Sequence, residues 1–476
     1  MVFNNMMVLN ELKKKKILIL GFGKEGIDSF LFLRKLFPKK TLGIADQKIY
    51  SIFYDRRKKG IGEKRGKVRL HLGKNYLKAL KDYDVIIKSP GVPIHLPKVE
   101  KAFEKSSFAQ GYGGRRITSQ TEIFFENCPG KIIGITGTKG KSTTTSLIYQ
   151  ILKKGGFQAH LVGNIGKPVL SLLLSATPKD IYVFELSAHQ LYNLRKSPQI
   201  AVFLNIYPEH LDYYKNLKEY ARAKANITLH QTKKDYLIFN KEDKIVSGFA
   251  RKSKAQKIPI SIKKISKSVE FYDTCRKSQL KGDFNLLNMA AAIEVGKIFK
   301  IPKEKIKKAV KEFKPLPHRL ELVGIFKGIT FYNDALSTIP ETAIFALDAL
   351  GDRVETIMLG GFDRKIDFKN LAKRVSKSKI KNVILFPTTG EKIWKEILKI
   401  SKNRGLPRHF FVDPIRNRRL SNGADIMKDA VKIAYQNTKK GKICLLSCAS
   451  TSFSIFRDYK EKGDLFRKYV KQFSRK

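Results

Sequence analysis

The sequence predicts an α/β fold of parallel sheets with crossover helices. Two observations carry this expectation. Short apolar runs recur from end to end, alternating with amphipathic stretches, and several of them lead into glycine-containing polar loops. That alternation is the signature of strand, turn and returning helix. In chain order the strand candidates are "KILIL", "TLGIAD", "DVIIKS" (84–89), "KIIGIT" (131–136), "DIYVFEL" (180–186), "IAVFLN" (200–205), "DYLIFN" (235–240), "TIMLG" (356–360), "NVILF" (382–386) and "ICLLS" (443–447). "IDSFLFLRKLF" and "IPKEKIKKAVKEFK" read as helices. Residues 241–280 are rich in lysine and serine without clear periodicity and receive no assignment. A chain of 476 residues calls for more than one domain. Breaks are expected near 121, where "ITSQTEIFFENCPG" opens a new unit, and near 315, where the prolines of "KPLPHR" disfavour helix, giving segments 1–121, 122–315 and 316–476.

Composition narrows the class. A hydrophobic content of 42% with mixed charge is that of a globular chain. No apolar run is long enough to span a bilayer, and the N-terminal apolar patch precedes its lysines, the reverse of a secretory signal, so a cytoplasmic protein with no membrane association is expected. The four cysteines, Cys128, Cys275, Cys444 and Cys448, match no common zinc spacing and are too few for a disulfide framework. The formal charge of +53 could signal a nucleic-acid surface, but the lysines are spread along the whole chain without a basic tail or aromatic-interleaved block. A solvated basic surface, attractive to anionic small molecules, is the expectation, with no nucleic-acid partner.

Three loops carry the chemistry. "GFGKEG" sets Gly21, Gly23 and Gly26 in the G-x-G-x-x-G spacing between a strand and a helix, and Asp46 ends the next strand, twenty residues beyond Gly26. This suits a diphosphate at a helix N-terminus and an acid near a ribose. "KSPGVP" would bring Ser89, Pro90 and Gly91 to the same carboxyl edge. No hydride-acceptor site follows, which weakens a dehydrogenase reading. "GITGTKGKSTTT" (134–145) lacks the first glycine of the usual phosphate loop, since Ile135 stands there. The rest is intact: Gly137, Thr138, Lys139 and Gly140 would turn backbone N–H groups toward phosphates, Lys141 would neutralise the terminal one, and Ser142 or Thr143 could offer a hydroxyl to magnesium. Glu185, ending "IYVFE", and His210, beyond "AVFLN", would reach the same edge. A carboxylate on magnesium is ordinary; a histidine is not, and His210 stays open between ligand and structural residue.

Together, "TGTKGKS", "FELSAHQL", "NIYPEHLDYY", "YARAKA", "GDFNLLNMAAA", "LPHRLE", "YNDALST" and "LLSCASTSF" make the chain resemble the Mur ligases over nearly its whole length and in the family's order. The resemblance implies three domains: a Rossmann-like domain for a UDP moiety, a central ATPase, and a C-terminal Rossmann-like domain for the incoming amino acid. It implies an ATP-dependent ligase, acting as a monomer in peptidoglycan precursor synthesis, that joins glutamate, expected as the D-enantiomer, to UDP-N-acetylmuramoyl-L-alanine through an acyl phosphate. ATP and two Mg2+ ions are the implied cofactors. By the same resemblance, Gly23, Lys24, Glu25, Asp46, Ser89, Pro90, Gly91 and Asn164 would meet the UDP substrate. Glu185, His210 and a carbamylated Lys224 would join Ser142 around magnesium. Asn285, Asn288, His318, Arg319 and Asp334 would meet ATP, and Thr338, Arg364, Ser452 and Tyr459 the glutamate. Two positions depart from the family pattern: Leu336 and Arg364 each stand where a lysine is usual. Arginine can grip a carboxylate bidentately, so an anionic site is expected to survive.

Overall fold

Buried β-branched and leucine runs form the strands, as a sheet covered on both faces requires. The computed structural model describes residues 12–48, 66–104, 116–210, 213–401, 405–412, 422–453 and 455–475; the N-terminal apolar patch lies mostly outside them. Internal contacts divide the chain into two compact units, Met1–Tyr272 with Leu287–Val310, and Asp273–Leu286 with Lys311–Lys476.

The first unit holds two sheets. One contains β1 (Ile17–Leu20), β2 (Leu42–Asp46), β3 (Val68–Leu72), β4 (Val85–Lys88) and β5 (Arg116–Thr118), parallel throughout, in the order β3-β2-β1-β4-β5. The helix Lys24–Leu36 follows β1 directly. It can do so because residue 26 is glycine: a Cβ there would lie 2.1 Å from the Gly21 carbonyl oxygen. The other sheet contains β6 (Lys131–Thr136), β7 (Ala159–Gly163), β8 (Ile181–Glu185), β9 (Ile200–Phe203), β10 (Tyr236–Asn240) and β11 (Gln256–Ile260), also parallel, in the order β11-β10-β9-β6-β8-β7. Phe124, from the helix Gln120–Asn127, packs edge-on against Tyr182 and Phe184 of β8, with ring centroids 5.0 and 6.0 Å away.

The second unit holds β12 (Glu321–Phe326), β13 (Ile329–Asn333), β14 (Val354–Gly360), β15 (Asn382–Phe386), β16 (Arg408–Phe411) and β17 (Ile443–Leu446) in the order β12-β13-β17-β14-β15-β16. Only the β12–β13 pair is antiparallel. The α/β expectation therefore holds. The unassigned region 241–280 is structured: Lys244–Lys252 is helical, β11 follows, and shorter helices run over Ile262–Ser266 and Tyr272–Lys277. Its lysines are exposed, so composition hid a helix that buries Val246 and Ala250 and packs the partly buried Ile245 and Phe249 beside them.

Parallel sheets gather their loops at the carboxyl edges of the strands. In this chain those edges carry Gly21–Gly23 after β1, Ser89 after β4, Gly137–Gly140 after β6, Asn164 after β7, Glu185 at the end of β8, and Asn205–His210 after β9.

Candidate active site

The phosphate loop is built by β6 and held by the loop after β9. Gly137 and Gly140 have φ of 153° and 86°, and Gly140 caps the helix Lys141–Gly155. Asn205 grips the loop twice, accepting from the Lys139 N–H at 2.8 Å and donating to the Lys139 carbonyl at 3.0 Å. The Thr138 N–H donates to the Asn205 carbonyl at 2.8 Å, and the Thr138 hydroxyl accepts from the Tyr207 N–H at 2.9 Å. Lys141 Nζ donates to the carbonyls of Gly137 and Thr138, both at 2.9 Å, which folds its charge over the loop. Ser142 and Thr143 are buried in the first helical turn.

Electrostatics around this loop are strongly coupled. Lys139 pairs with Glu209 at 2.8 Å, both side chains being largely buried. Burial alone would raise the Glu209 carboxyl, but Lys139 and Lys141 outweigh it and bring it down to about 2. Lys224 is 1% exposed and donates to the Gly137 carbonyl at 2.9 Å, its Nζ 4.8 Å from the centre of the Tyr220 ring. Burial, reinforced by Lys141, pushes its amine well below the ordinary lysine value. Glu185 is buried at the end of β8, and its Oε2 has no hydrogen-bond partner. His210, at φ 58°, packs its ring 5.1 Å from that of His189. Burial, with His210 and Lys224 nearby, pushes His189 down to about 3, so its imidazole is neutral.

Among the described residues no group of three His, Cys, Asp or Glu side chains could hold a metal alone. A magnesium site here would draw on hydroxyl, carboxylate and water oxygens, which a small hard cation accepts. The orphaned Glu185 oxygen fits such a site.

The first glycine loop sits against the second sheet. Lys24 Nζ reaches the Gly166 carbonyl at 3.1 Å, and Glu25 Oε1 accepts from Gln190 at 2.7 Å. Gln190 in turn accepts from the Ser187 N–H at 2.9 Å, two residues past Glu185. Loss of solvent raises the Glu25 carboxyl to about 7 and lowers the Lys88 amine to about 8. Ser89 Oγ donates to the Gly21 carbonyl at 2.7 Å, holding the "KSPG" turn (Pro90, Gly91) beside the loop. A cavity of about 340 Å³ opens next to it, lined in part by Lys88, Pro90, His189, Gln190 and Arg222. Asp46 differs from the expected ribose acid in its immediate work: its carboxylate accepts the N–H groups of Phe22 at 2.6 Å and Lys48 at 2.8 Å. Asn164 is exposed after β7. Asn288 is buried, its side-chain oxygen accepting from Thr144 at 3.2 Å, so it faces the helix Lys141–Gly155 rather than open space.

In the second unit, Asn285 donates to the Lys281 carbonyl at 2.8 Å. His318 is buried against Asn333 Nδ2 at 3.1 Å and against the Tyr459 ring, with centroids 5.9 Å apart; Arg319 follows it in the same turn. Asp334 accepts from Ser447 Oγ at 2.8 Å and from the Leu320 N–H at 3.0 Å, and loss of solvent raises it to about 7. Arg364 is exposed after β14, Ser452 is buried after β17 with its hydroxyl unpartnered, and Thr338 is half-buried after β13.

Residues 135–296 match the Mur ligase middle domain. The UDP-N-acetylmuramoylalanine--D-glutamate ligase of Acetivibrio thermocellus is 32% identical over 97% of this chain and 97% of its own. The chain belongs to the Mur ligase family. The ligase of the same name from Clostridium kluyveri is 33% identical over 96% of this chain and 97% of its own. Among solved Mur ligase folds, MurC from Thermotoga maritima superposes with a TM-score of 0.54 at 15% identity over 97% of this chain and 99% of its own. A pseudomurein peptide ligase type C from Methanothermus fervidus gives 0.55 at 17% over 97% and 100%. Within this Mur ligase, sequence reasoning missed Asn205, Glu209, His189 and Tyr220. Glu209 was the findable one, standing next to His210 in "YPEH". No helix among the described residues is long and apolar enough to cross a membrane.

Proposed function

We propose that this chain is an ATP-dependent ligase that forms an amide between UDP-N-acetylmuramoyl-L-alanine and D-glutamate, as a cytoplasmic monomer. The end-to-end similarity to ligases of that name carries the reading. In it, segments 1–121, 122–315 and 316–476 bind the UDP substrate, ATP and glutamate respectively.

A carboxylate repels an amine nucleophile, so it must be activated first. Its oxygen attacks the terminal phosphorus of ATP, releasing ADP and leaving an acyl phosphate; the glutamate amine then attacks that carbonyl and phosphate departs. Lys141 sits where two anions must meet and lowers their repulsion, the largest contribution expected of any side chain here. Glu185, the hydroxyl of Ser142 or Thr143, His210 and a carbamylated Lys224 would hold magnesium. Magnesium, when bound, would offset the charge of carboxylate and phosphate together. Carbamylation by carbon dioxide requires a neutral amine, and burial, by lowering the Lys224 amine, favours that form. Gly23, Lys24, Glu25, Asp46, Ser89, Pro90, Gly91 and Asn164 remain the residues proposed for the UDP substrate. Asn285, Asn288, His318, Arg319 and Asp334 remain those for ATP, with Thr338, Arg364, Ser452 and Tyr459 for glutamate. Asn288 and Asp334 would act by holding their neighbours in place.

The test is an assay of ADP and amide with UDP-N-acetylmuramoyl-L-alanine, ATP, magnesium and either glutamate enantiomer. Both products are expected with D-glutamate alone. Absence of both with either enantiomer overturns the reading. Leu336 and Arg364 favour a second reading, the same chemistry on another amino acid, which ADP release with a different acid would reveal. Lys141→Ala is expected to lower ADP formation by about a hundredfold or more; near-normal turnover would refute its assignment.

A further inference from the structure

The helix Leu217–Leu229 works on two faces. Tyr220 and Lys224, one turn apart, look toward the phosphate loop: Lys224 Nζ meets the Gly137 carbonyl at 2.9 Å, and the Tyr220 hydroxyl meets that of Thr138 at 3.2 Å. Arg222 and Asn226 keep the same spacing about 200° round the helix, and they line the cavity of about 340 Å³ beside the "KSPG" turn. Among the described residues neither Gly21–Gly26 nor Gly137–Thr143 contributes to its wall. Charge in that wall is unbalanced. Lys88, 7% exposed, donates to the carbonyls of Ser89 at 3.1 Å and Val92 at 2.7 Å and forms no ion pair among the described residues. With its amine at about 8 it is still an ammonium at pH 7. Arg195 and Arg222 add two guanidinium groups. The one carboxyl, Glu122, is buried, accepts from the Thr118 hydroxyl at 2.9 Å, and is raised by loss of solvent. His189 is neutral, and burial lowers His230 as well. Three cations against one acid leave two positive charges in excess. The wall is also preformed: Asn226 Nδ2 donates to the Leu191 carbonyl at 2.9 Å, and the Asn226 carbonyl accepts from the Ser197 hydroxyl at 2.8 Å.

We propose that this cavity is a second anion site that takes a small phosphate monoester, apart from both the phosphate loop and the UDP substrate. The proposal goes beyond the ligase reading and does not depend on it. Guanidinium groups grip phosphate oxygens through paired hydrogen bonds, and a phosphate dianion cancels the two excess charges. The space is larger than a free phosphate fills and is of the size of a small-molecule pocket. Gln190, Asn193 and Asn226 offer amide groups to the hydroxyls of an attached sugar. Because Lys88 ends β4 and Arg222 belongs to the helix that carries Lys224, an occupant would brace the two sheets of the first unit against each other.

The experiment is calorimetric titration of the full chain with glucose-1-phosphate, inorganic phosphate and citrate, in ADP and magnesium so that the phosphate loop is filled. Native protein is compared with Arg222→Ala and with Lys252→Ala, which removes an exposed charge from another helix. Native protein is expected to bind one equivalent of glucose-1-phosphate, about tenfold more tightly than inorganic phosphate, and to unfold at a higher temperature with it. Arg222→Ala should weaken this binding about ten- to a hundredfold, and Lys252→Ala should leave it unchanged. Arg222 is exposed, so the variant should fold, which circular dichroism checks. Saturating UDP-N-acetylmuramoyl-L-alanine should not displace the monoester. Absence of saturable binding, an equal loss in both variants, or displacement by the UDP substrate overturns the proposal. Citrate bound as tightly, with the same dependence on Arg222, overturns the phosphate assignment. A chain that binds the monoester in this way but makes no amide would count against the ligase reading alone.

Discussion

Glu209→Gln tests the electrostatics of the phosphate loop most directly. The Glu209 carboxyl falls from an ordinary 4.5 to about 2 in the folded chain, against a burial that alone would raise it. At ~1.4 kcal/mol per pH unit this is on the order of 3 kcal/mol in favour of the ionised form. Because the folded value is depressed, the stabilisation is complete above the unfolded value and is lost as pH falls toward the folded one. The expected contribution is about 3 kcal/mol at pH 7, roughly 2.5 at pH 4 and roughly 1.5 at pH 3. The glutamine variant keeps the shape but leaves Lys139, 13% exposed, without its anion. Urea unfolding followed by circular dichroism at pH 7, 4 and 3 should show a native-minus-variant gap that narrows by about half. A gap that is absent at pH 7, or constant down to pH 3, refutes the reasoning. Carbon-13 NMR gives an independent check, since native protein should contain a glutamate carboxyl still ionised at pH 3 that the variant lacks.

Two further outcomes follow from the geometry. Protein equilibrated with 13C-bicarbonate should show a carbamate resonance that Lys224→Met lacks; no such resonance in native protein would end the carbamylation proposal. Gly26→Ala places a methyl group 2.1 Å from a backbone oxygen, so it should cost about 1–3 kcal/mol of stability and raise KM for the UDP substrate more than for ATP. Native values for both would show that the helix is not seated as closely as described.

Much of the sheet architecture was legible because its strands are buried on both faces and read as unbroken apolar runs: "NVILF" coincides with β15, and "KIIGIT" with β6. Edge strands were not legible. β3 has exposed positions at Arg69 and Leu70, and β16 carries Arg408 and His409, so neither forms an apolar run. The phosphate loop could be read because its backbone geometry demands particular residue types in a fixed order. Asn205 and Tyr220 could not, because their importance comes from meeting Thr138 and Lys139 across a distance of more than sixty residues. Lys224 was recognisable by resemblance, while its burial beneath Gly137, which lowers its amine, needed the fold.

The seam between the two sheets of the first unit bears on how such enzymes can be recombined. Besides Lys24–Gly166 and Glu25–Gln190, Asp28 accepts from the Leu170 N–H at 3.0 Å and from Gln120 at 2.8 Å, and it also bonds Ser171. A chimera that took β1–β5 and the helix Lys24–Leu36 from another organism would sever partners at 24, 25 and 28 from those at 120, 166, 170, 171 and 190. Inheritance of these positions as a set, rather than any tolerance of the connecting peptide, would decide whether a graft yields working catalyst.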